Sequence, residues 1–325
     1  MNVVKNPNLI VKGLTLAALI LMVVSYFTPI WWVSLTAPNY PKEAFPDGIR
    51  IHFHFDGVYN GCKAPPKTSL MYQETLQADL GDDLSQRDGG GASGEKRQEG
   101  LDCVHEMNTI NHYVGMYPIL TGSPVELRLS KFIFGFLAVM LLGFMVTQRK
   151  QQLMILGAGF AAVSVWMVGD QIVMGNLDKF AVVYHDAAAT FFNQPEVLSR
   201  WVANLKLATH VAIGGLIVAM VIVLLGVWKI RQFSLLLALV PALLPIFFVL
   251  DYAGWLWFFG HNLHPWGAFT VKPFMPTVFG EGKVAQFSTY SYPYYGYAML
   301  LGVSAAGLLS LLIRRKLMRE DPEVN

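Results

Sequence analysis

Six long runs of apolar residues set the organisation of the chain. Because an α-helix needs roughly 20 apolar residues to cross the hydrocarbon core of a bilayer, each run predicts one membrane-spanning helix. The fifth run contains Pro241 and Pro245, which predict a kink in its helix. The first run is longer than the apolar core of a signal peptide and predicts an uncleaved anchor. The runs cover residues 9–32, 132–146, 153–174, 207–228, 233–259 and 294–313.

Basic residues in the polar connections predict how the helices are oriented. Residues 148–151, 229–231 and 314–319 are rich in Lys and Arg, and Lys5 precedes the first run. Since such residues concentrate on the cytoplasmic side of a membrane, both termini are predicted to be cytoplasmic. We therefore expect a multi-pass protein of the cytoplasmic (inner) membrane whose large loops are periplasmic. The predicted outer loops are residues 33–131, 175–206 and 260–293.

The first outer loop predicts a small folded cap. Residues 48–56 alternate between apolar and polar side chains, which predicts a half-buried strand, and residues 103–115 predict a helix that Gly115 ends. Residues 77–100 are polar, Gly-rich and free of aromatic side chains, which predicts a disordered insertion. The predicted fold class is an all-α integral membrane protein of six transmembrane helices with a small α/β extracytoplasmic cap. Its predicted parts are a first anchor at residues 1–33, a loop domain at 34–130 and a five-helix membrane domain at 131–325.

The composition supports an integral membrane protein and argues against several classes of function. Of the 325 residues, 54% are hydrophobic and only 14% are charged, and the mean hydropathy is +0.43. A soluble domain carries about 25% charged residues. A net charge of +2 without a basic stripe excludes nucleic-acid binding. Because the chain has no P-loop, G-x-S-x-G, H-E-x-x-H or C-x-x-C-H motif, neither a nucleotide nor a haem cofactor is expected. No catalytic residue is assigned, although an enzyme with its own copper site stays open.

Histidine and methionine side chains on the predicted outer side make copper the candidate cofactor. His105, His112 and Met116 lie in the segment C-V-H-E-M-N-T-I-N-H-Y-V-G-M, and His261 lies in the third outer loop. Thioether ligands combined with imidazole favour copper over zinc. The alternative is that these side chains only pack the helix over the membrane domain.

A second candidate metal pair, His52 and His54, lies on the predicted strand. Residues i and i+2 of a strand face the same way, so the two imidazoles are placed to bind one Cu or Zn ion. A solvated polar face is the alternative.

The two cysteines, Cys62 and Cys103, flank the predicted insertion. In an oxidising compartment a disulfide between them is the expected state, and a pair of thiolate metal ligands is the alternative. Within the predicted spans the notable ionisable side chains lie near the outer ends: Asp170, Asp251 and His210. Because none lies at mid-membrane, a pump or channel is not expected, and the two carboxylates are predicted to anchor the outer loops.

Three phrases of the sequence together resemble a known family. They are W-V-S-L-T-A-P-N-Y-P at residues 32–41, I-N-H-Y-V-G-M at 110–116 and G-H-N-L-H-P at 260–265. In this order they are similar to polytopic bacterial membrane proteins encoded beside accessory genes for nitrous oxide reductase maturation. Those neighbouring genes handle copper, so the resemblance implies periplasmic copper handling or cuproenzyme assembly. The family pattern has a shorter first loop, and it lends no support to Cys62, Cys103, His52, His54 and His264.

The sequence therefore predicts a membrane-anchored copper-handling or assembly factor for an extracytoplasmic redox enzyme. Its predicted partners are the lipid bilayer and a cuproenzyme or redox complex. His112 and Met116 lead the predicted copper ligands, with His105 and His261 next. The alternative is a non-catalytic structural subunit of a membrane redox complex, such as a copper monooxygenase or a respiratory enzyme, with the apolar spans and the aromatic third loop as docking surfaces.

Overall fold

The computed structural model describes residues 6–62, 102–119, 122–191, 194–268, 270–284 and 286–320, and the predicted insertion at 77–100 lies outside them. The helices are α1 (Pro7–Tyr26), α2 (Cys103–Tyr113), α3 (Pro124–Met145), α4 (Arg149–Val168), α5 (Asn176–Ala189), α6 (Pro195–Lys229), α7 (Leu236–Ala242), α8 (Leu244–His261) and α9 (Tyr295–Glu320). The strands are β1 (Trp31–Thr36), β2 (Ile49–His54), β3 (Gly57–Asn60), β4 (Gly280–Val284) and β5 (Phe287–Pro293).

Five helices of the described chain are long and apolar enough to cross a membrane: α1, α3, α4 with the π-helical turn Gly169–Val173 that extends it, α6 and α9. A sixth span results if Arg231–Ala242 and Leu244–His261, which meet at a bend of 55°, are counted together. The bend lies between Pro241 and Pro245, so the predicted kink is confirmed. Each proline lacks the N–H that would continue the helical hydrogen bonds.

The first helix ends earlier than the apolar pattern predicts. Helix α1 stops at Tyr26, and Trp31 and Trp32 belong to strand β1 instead of the span. Pro29 accounts for the difference, because the residue before a proline is disfavoured in the helical conformation. The second predicted outer loop is largely helical, since it contains α5 and the first turns of α6, which begins at Pro195.

The five strands form one antiparallel sheet in the order β3-β2-β1-β5-β4. Strand β1 lies in the centre, with Val33 paired to Ile51 of β2 and to Ser291 of β5. The strand predicted at residues 48–56 is confirmed as β2, with its apolar residues buried as the alternation requires. The sequence predicts no strand in the third outer loop, yet that loop supplies the β4–β5 hairpin. The sheet is therefore built from two loops that are far apart in the chain.

The two faces of the sheet differ in what they contact. The inner face, with Trp31, Leu35 and Ile51, packs on α2 and on the ends of the long helices. Trp31 Nε1 donates to Ser291 Oγ at 2.8 Å, and the hydroxyl of Tyr252 on α8 lies 3.4 Å from the same Oγ. We call the sheet and α2 together the cap. The outer face presents aromatic and polar side chains, among them Trp32, Arg50, His52, Tyr290 and Tyr292.

Helix α2 is fixed to the sheet by a disulfide. Cys62, which follows β3, is bonded to Cys103, the first residue of α2, and the two Cα atoms are 6.0 Å apart. The predicted disulfide is confirmed, and the alternative of two thiolate ligands is wrong. The Asp102 side chain caps the start of α2 by accepting from two backbone N–H groups at 3.0 and 3.1 Å. At the other end Gly115 has a φ of +82°, as expected for a glycine that ends a helix.

Candidate functional site

Two segments that are far apart in the sequence meet beside the C-terminal end of α2. The backbone N–H of His264 donates to the carbonyl of Gly115 at 2.8 Å, and the N–H of Ala268 donates to the carbonyl of Tyr113 at 2.8 Å. We call residues 110–116 and 260–268 together the loop junction. The I-N-H-Y-V-G-M and G-H-N-L-H-P phrases are thus direct neighbours in the fold.

Glycines permit the close approach of the two backbones at the loop junction. A Cβ at Gly115 would lie 2.4 Å from the carbonyl oxygen of His264, and a Cβ at Gly267 would lie 3.0 Å from the nitrogen of Gly115. A Cβ at Gly260 would lie only 2.1 Å from the carbonyl oxygen of Phe274, whose N–H donates back to Gly260 at 3.1 Å. These positions require glycine because neighbouring backbone atoms occupy the space that a Cβ would need, and not only because turns favour glycine.

The loop junction carries two imidazoles in partly buried positions. Nδ1 of His112 is buried and has no hydrogen-bond partner among the residues that the structure describes. The ring of His264 stacks on Trp266 at 3.8 Å and meets the edge of Tyr117 at 4.5 Å. Burial lowers the pKa of His264 to about 4, so this ring is neutral at physiological pH. A neutral imidazole is the form that binds a metal ion.

Two other predicted copper ligands lie on the surface. His105 is exposed, and its ring centre is 5.4 Å from that of Phe191. His261 is exposed, stacks on Trp257 at 4.6 Å and donates from Nδ1 to the carbonyl of Trp257 at 2.8 Å. Within the described ranges, no three His, Cys, Asp or Glu side chains come close enough together to hold a metal ion. The predicted ligands therefore do not converge on one multidentate site of these residue types.

Met116 lines an inner cavity whose described lining includes none of the histidines. Together with Met107 it lines a cavity of about 90 Å³ beneath the inner face of the sheet. The walls of this cavity are mostly apolar, and both methionines are buried. The sheet separates this cavity from His52 and His54, which lie on the outer face. Met116 and these two histidines are thus not brought together.

His52 and His54 are half-buried in aromatic contacts. His52 stacks on Tyr294 at 5.2 Å, and His54 lies 4.4 Å from the ring of Tyr59. Burial, together with the nearby charge of Arg50, lowers the pKa of His52 to about 4. Burial also lowers the pKa of His54. Both rings are therefore neutral near pH 7, and neither lies on a freely solvated polar face.

The outer face of the sheet forms the floor of an open groove of about 770 Å³. Its other wall is the connection between β1 and β2, residues 37–48, and we call the space between them the outer groove. The guanidinium of Arg50 lies 4.2 Å from the centre of the Trp32 ring in this floor. The sequence does not predict the groove because the pairing of β5 with β1 creates it. Its charged and aromatic lining includes Lys42, Arg50, Lys283, Trp32, Tyr40, Phe45 and Tyr290.

The polar groups predicted near the outer ends of the spans have local partners. Asp170 accepts from Lys131 at 2.9 Å and from Asn176 at 3.1 Å, so it ties the end of α4 to α3 and α5. Nδ1 of His210 donates to the carbonyl one helical turn earlier at 2.8 Å. Asp251 lies near Glu126, whose carboxylate accepts from Trp255 Nε1 at 3.0 Å, and the sequence does not predict this neighbour.

Comparisons of the chain with protein-family models, with curated proteins and with solved structures gave no match.

Proposed function

We propose that the chain is a membrane-anchored copper-handling factor for an extracytoplasmic redox enzyme, and that copper binds at the loop junction. The observation that supports this proposal is the buried Nδ1 of His112, which has no partner within the described chain. His112 lies in residues 110–116, and backbone hydrogen bonds join this segment to residues 260–268, which contain His264. A buried polar nitrogen without a partner costs free energy, and a metal ion would satisfy it.

Two imidazoles suit copper better than zinc. A structural zinc site takes four ligands, whereas Cu(I) accepts fewer and favours soft or imidazole donors. Among the described residues there is no group of three His, Cys, Asp or Glu that would make a closed site. An open site of few ligands also releases its ion readily, which a delivery factor requires. The proposed ligand set is therefore His112 and His264, in place of the wider set predicted from the sequence.

Copper binding by a His112→Ala variant tests the proposal. The purified chain is titrated with Cu(I) under anaerobic conditions against a chromogenic chelator. We expect one equivalent in the wild type and a loss of affinity of at least about 100-fold in the variant, because even outer-shell partners contribute 10- to 100-fold. His185→Ala, which removes a partly exposed imidazole on α5, is the matched control. Equal affinity in both variants, or no binding by the wild type, would contradict the proposal.

We also propose six membrane spans, with both termini in the cytoplasm and the cap in the periplasm. The confirmed disulfide supports this orientation, because disulfides persist in oxidising compartments. Alkaline phosphatase fused after Gln194 or Ala268 is then expected to be active, since both positions are on the cap side of the helices. Fusions after Thr147 or Ile230 are expected to be inactive. The reverse pattern would overturn the orientation.

A second candidate function is a non-catalytic subunit that docks on a larger redox complex. The outer groove favours it, because aromatic side chains and arginine are enriched where proteins bind each other. The copper titration separates the two candidates. Metal-free protein that co-purifies with a larger partner supports the subunit, whereas stoichiometric copper that depends on His112 supports the copper-handling factor.

A further inference from the structure

The inner cavity beneath the sheet is lined by one buried amide that has no described partner. The cavity measures about 90 Å³ and lies between the sheet and the helices α2 and α8. Asn111, in the last turn of α2, lines it and is only 6% exposed. Its Nδ2 is buried and makes no hydrogen bond among the described residues. Such a donor costs free energy unless a ligand accepts its hydrogen bond.

A second buried asparagine on the same helix shows the contrast. Oδ1 of Asn108, which is 1% exposed, accepts from the backbone N–H of Ile119 at 2.7 Å. Asn111 lies about one turn later. Its backbone carbonyl accepts from the N–H of Met116 at 2.8 Å, which fixes the residue at the end of the helix. The amide of Asn111 is therefore held in a buried position without the kind of partner that Asn108 has.

The lining of the inner cavity indicates a neutral and mainly apolar ligand. No charged side chain and no histidine is found among the described residues that line it. Apart from Asn111, the polar side chains of the described lining are those of Thr277, Thr289 and Tyr252. A buried water makes about three hydrogen bonds, so walls that are mainly apolar favour a ligand that is itself apolar over water.

We propose that the inner cavity binds a small neutral molecule, apolar except for one hydrogen-bond acceptor such as a ketone oxygen, and that Nδ2 of Asn111 donates to this acceptor. An apolar cavity of about 150 Å³ holds one benzene molecule, so a cavity of about 90 Å³ suits about four or five non-hydrogen atoms. The proposal does not depend on the copper site, because neither His112 nor His264 is among the described residues that line the cavity.

Methyl NMR on the metal-free full chain in detergent tests the proposal, because Met107 and Met116 place reporter groups in the cavity wall. The methionine methyl groups are isotopically labelled, and the two resonances are assigned with Met107→Leu and Met116→Leu. The probes are cyclobutanone and methylenecyclobutane, in which a methylene group replaces the carbonyl oxygen. We expect saturable shifts of both resonances. In Asn111→Leu the ratio of ketone affinity to hydrocarbon affinity is expected to fall about tenfold, because leucine lacks the donor.

A wild-type measurement keeps the test decisive if Asn111→Leu does not fold. The side-chain amide proton of Asn111 is expected to move downfield with cyclobutanone and not with methylenecyclobutane. Asn204→Leu, which replaces an exposed asparagine on α6, is the matched control and should keep the wild-type ratio. Met154 and Met174 are 60% and 66% exposed, so their methyl groups report entry of the probes into the detergent.

Three outcomes would each overturn the proposal. They are an equal affinity ratio in the wild type and Asn111→Leu, saturable shifts at neither Met107 nor Met116, and an Asn111 amide proton that responds to both probes alike. Because the chain is free of metal, these outcomes are separate from the result of the copper titration.

Discussion

Replacing Cys103 with serine is expected to lower the free energy of unfolding of the cap by about 4 kcal/mol. The disulfide joins residues separated by 41 positions, and the chain entropy of a loop of that length gives about this value. The side chain of Cys103, the first residue of α2, is fully buried, so the variant also loses packing contact at the start of the helix. The measurement is the urea concentration at which a protease first cleaves the purified chain within strands β1 and β2.

Reductant provides the control for this prediction. Wild-type protein in reductant is expected to become as sensitive to urea as the variant, while the variant itself should not respond to reductant. Cys62→Ser removes the same bond and should match Cys103→Ser. Equal urea midpoints for the wild type and both variants under oxidising conditions would show that the bond does not hold α2 on the sheet.

Replacing Gly115 with alanine is expected to disrupt the loop junction and to abolish copper binding there. The new Cβ would have to adopt a φ of +82° and would lie 2.4 Å from the carbonyl oxygen of His264. The left-handed conformation costs about 1–2 kcal/mol, and overpacking adds about 1–3 kcal/mol. Because the crowded atom belongs to the backbone, the two segments must separate. The measurements are the Tm of the purified chain and its Cu(I) stoichiometry.

Gly175 offers a matched control for the Gly115 variant. It has a similar φ of +66°, but a Cβ there meets nothing within 4 Å. Gly175→Ala should therefore cost only the conformational part, about 1–2 kcal/mol, and should leave copper binding intact. If both alanine variants show the same fall in Tm and the same Cu(I) stoichiometry, the close approach of Gly115 to His264 does not contribute to stability or to copper binding.

Local signals in the sequence were sufficient to predict several parts of the cap. Strict alternation along residues 48–56 identifies a strand because only one face of β2 is buried. Gly115 predicts the end of α2 because a left-handed residue there favours glycine. The cysteine pair predicts the disulfide because the predicted compartment is oxidising. Each of these inferences depends on neighbours in the chain or on a single chemical preference.

The sheet as a whole could not be predicted in this way. Strand β1 begins at Trp31 and Trp32, which extend an apolar run and therefore indicate a continuing span. Its burial is explained only by pairing with β5, a strand more than 250 positions later in the chain. The β4–β5 hairpin contains Gly280, Gly282 and Pro293, whose types favour an irregular loop. The structure of these segments depends on the pairing of strands that are far apart in the chain, and a local sequence pattern does not predict such pairing.

The loop junction likewise depends on contacts between distant segments that the sequence does not predict. Its two segments are joined by backbone hydrogen bonds, which leave no signature in side-chain identity. The spacing of His261 and His264 places them near each other but does not tell which ring is buried. The structure places His264 at the junction and His261 on the surface. Met116 is near His112 in sequence, yet it lines the inner cavity.

Copper K-edge X-ray absorption on the Cu(I)-loaded wild-type chain identifies the ligands of the ion. We expect a shell of nitrogen neighbours with the multiple scattering of imidazole rings, weakened in His112→Ala and unchanged in His185→Ala. A shell of sulfur neighbours without imidazole scattering would instead place the ion between Met107 and Met116 in the inner cavity, and would contradict a copper site at the loop junction.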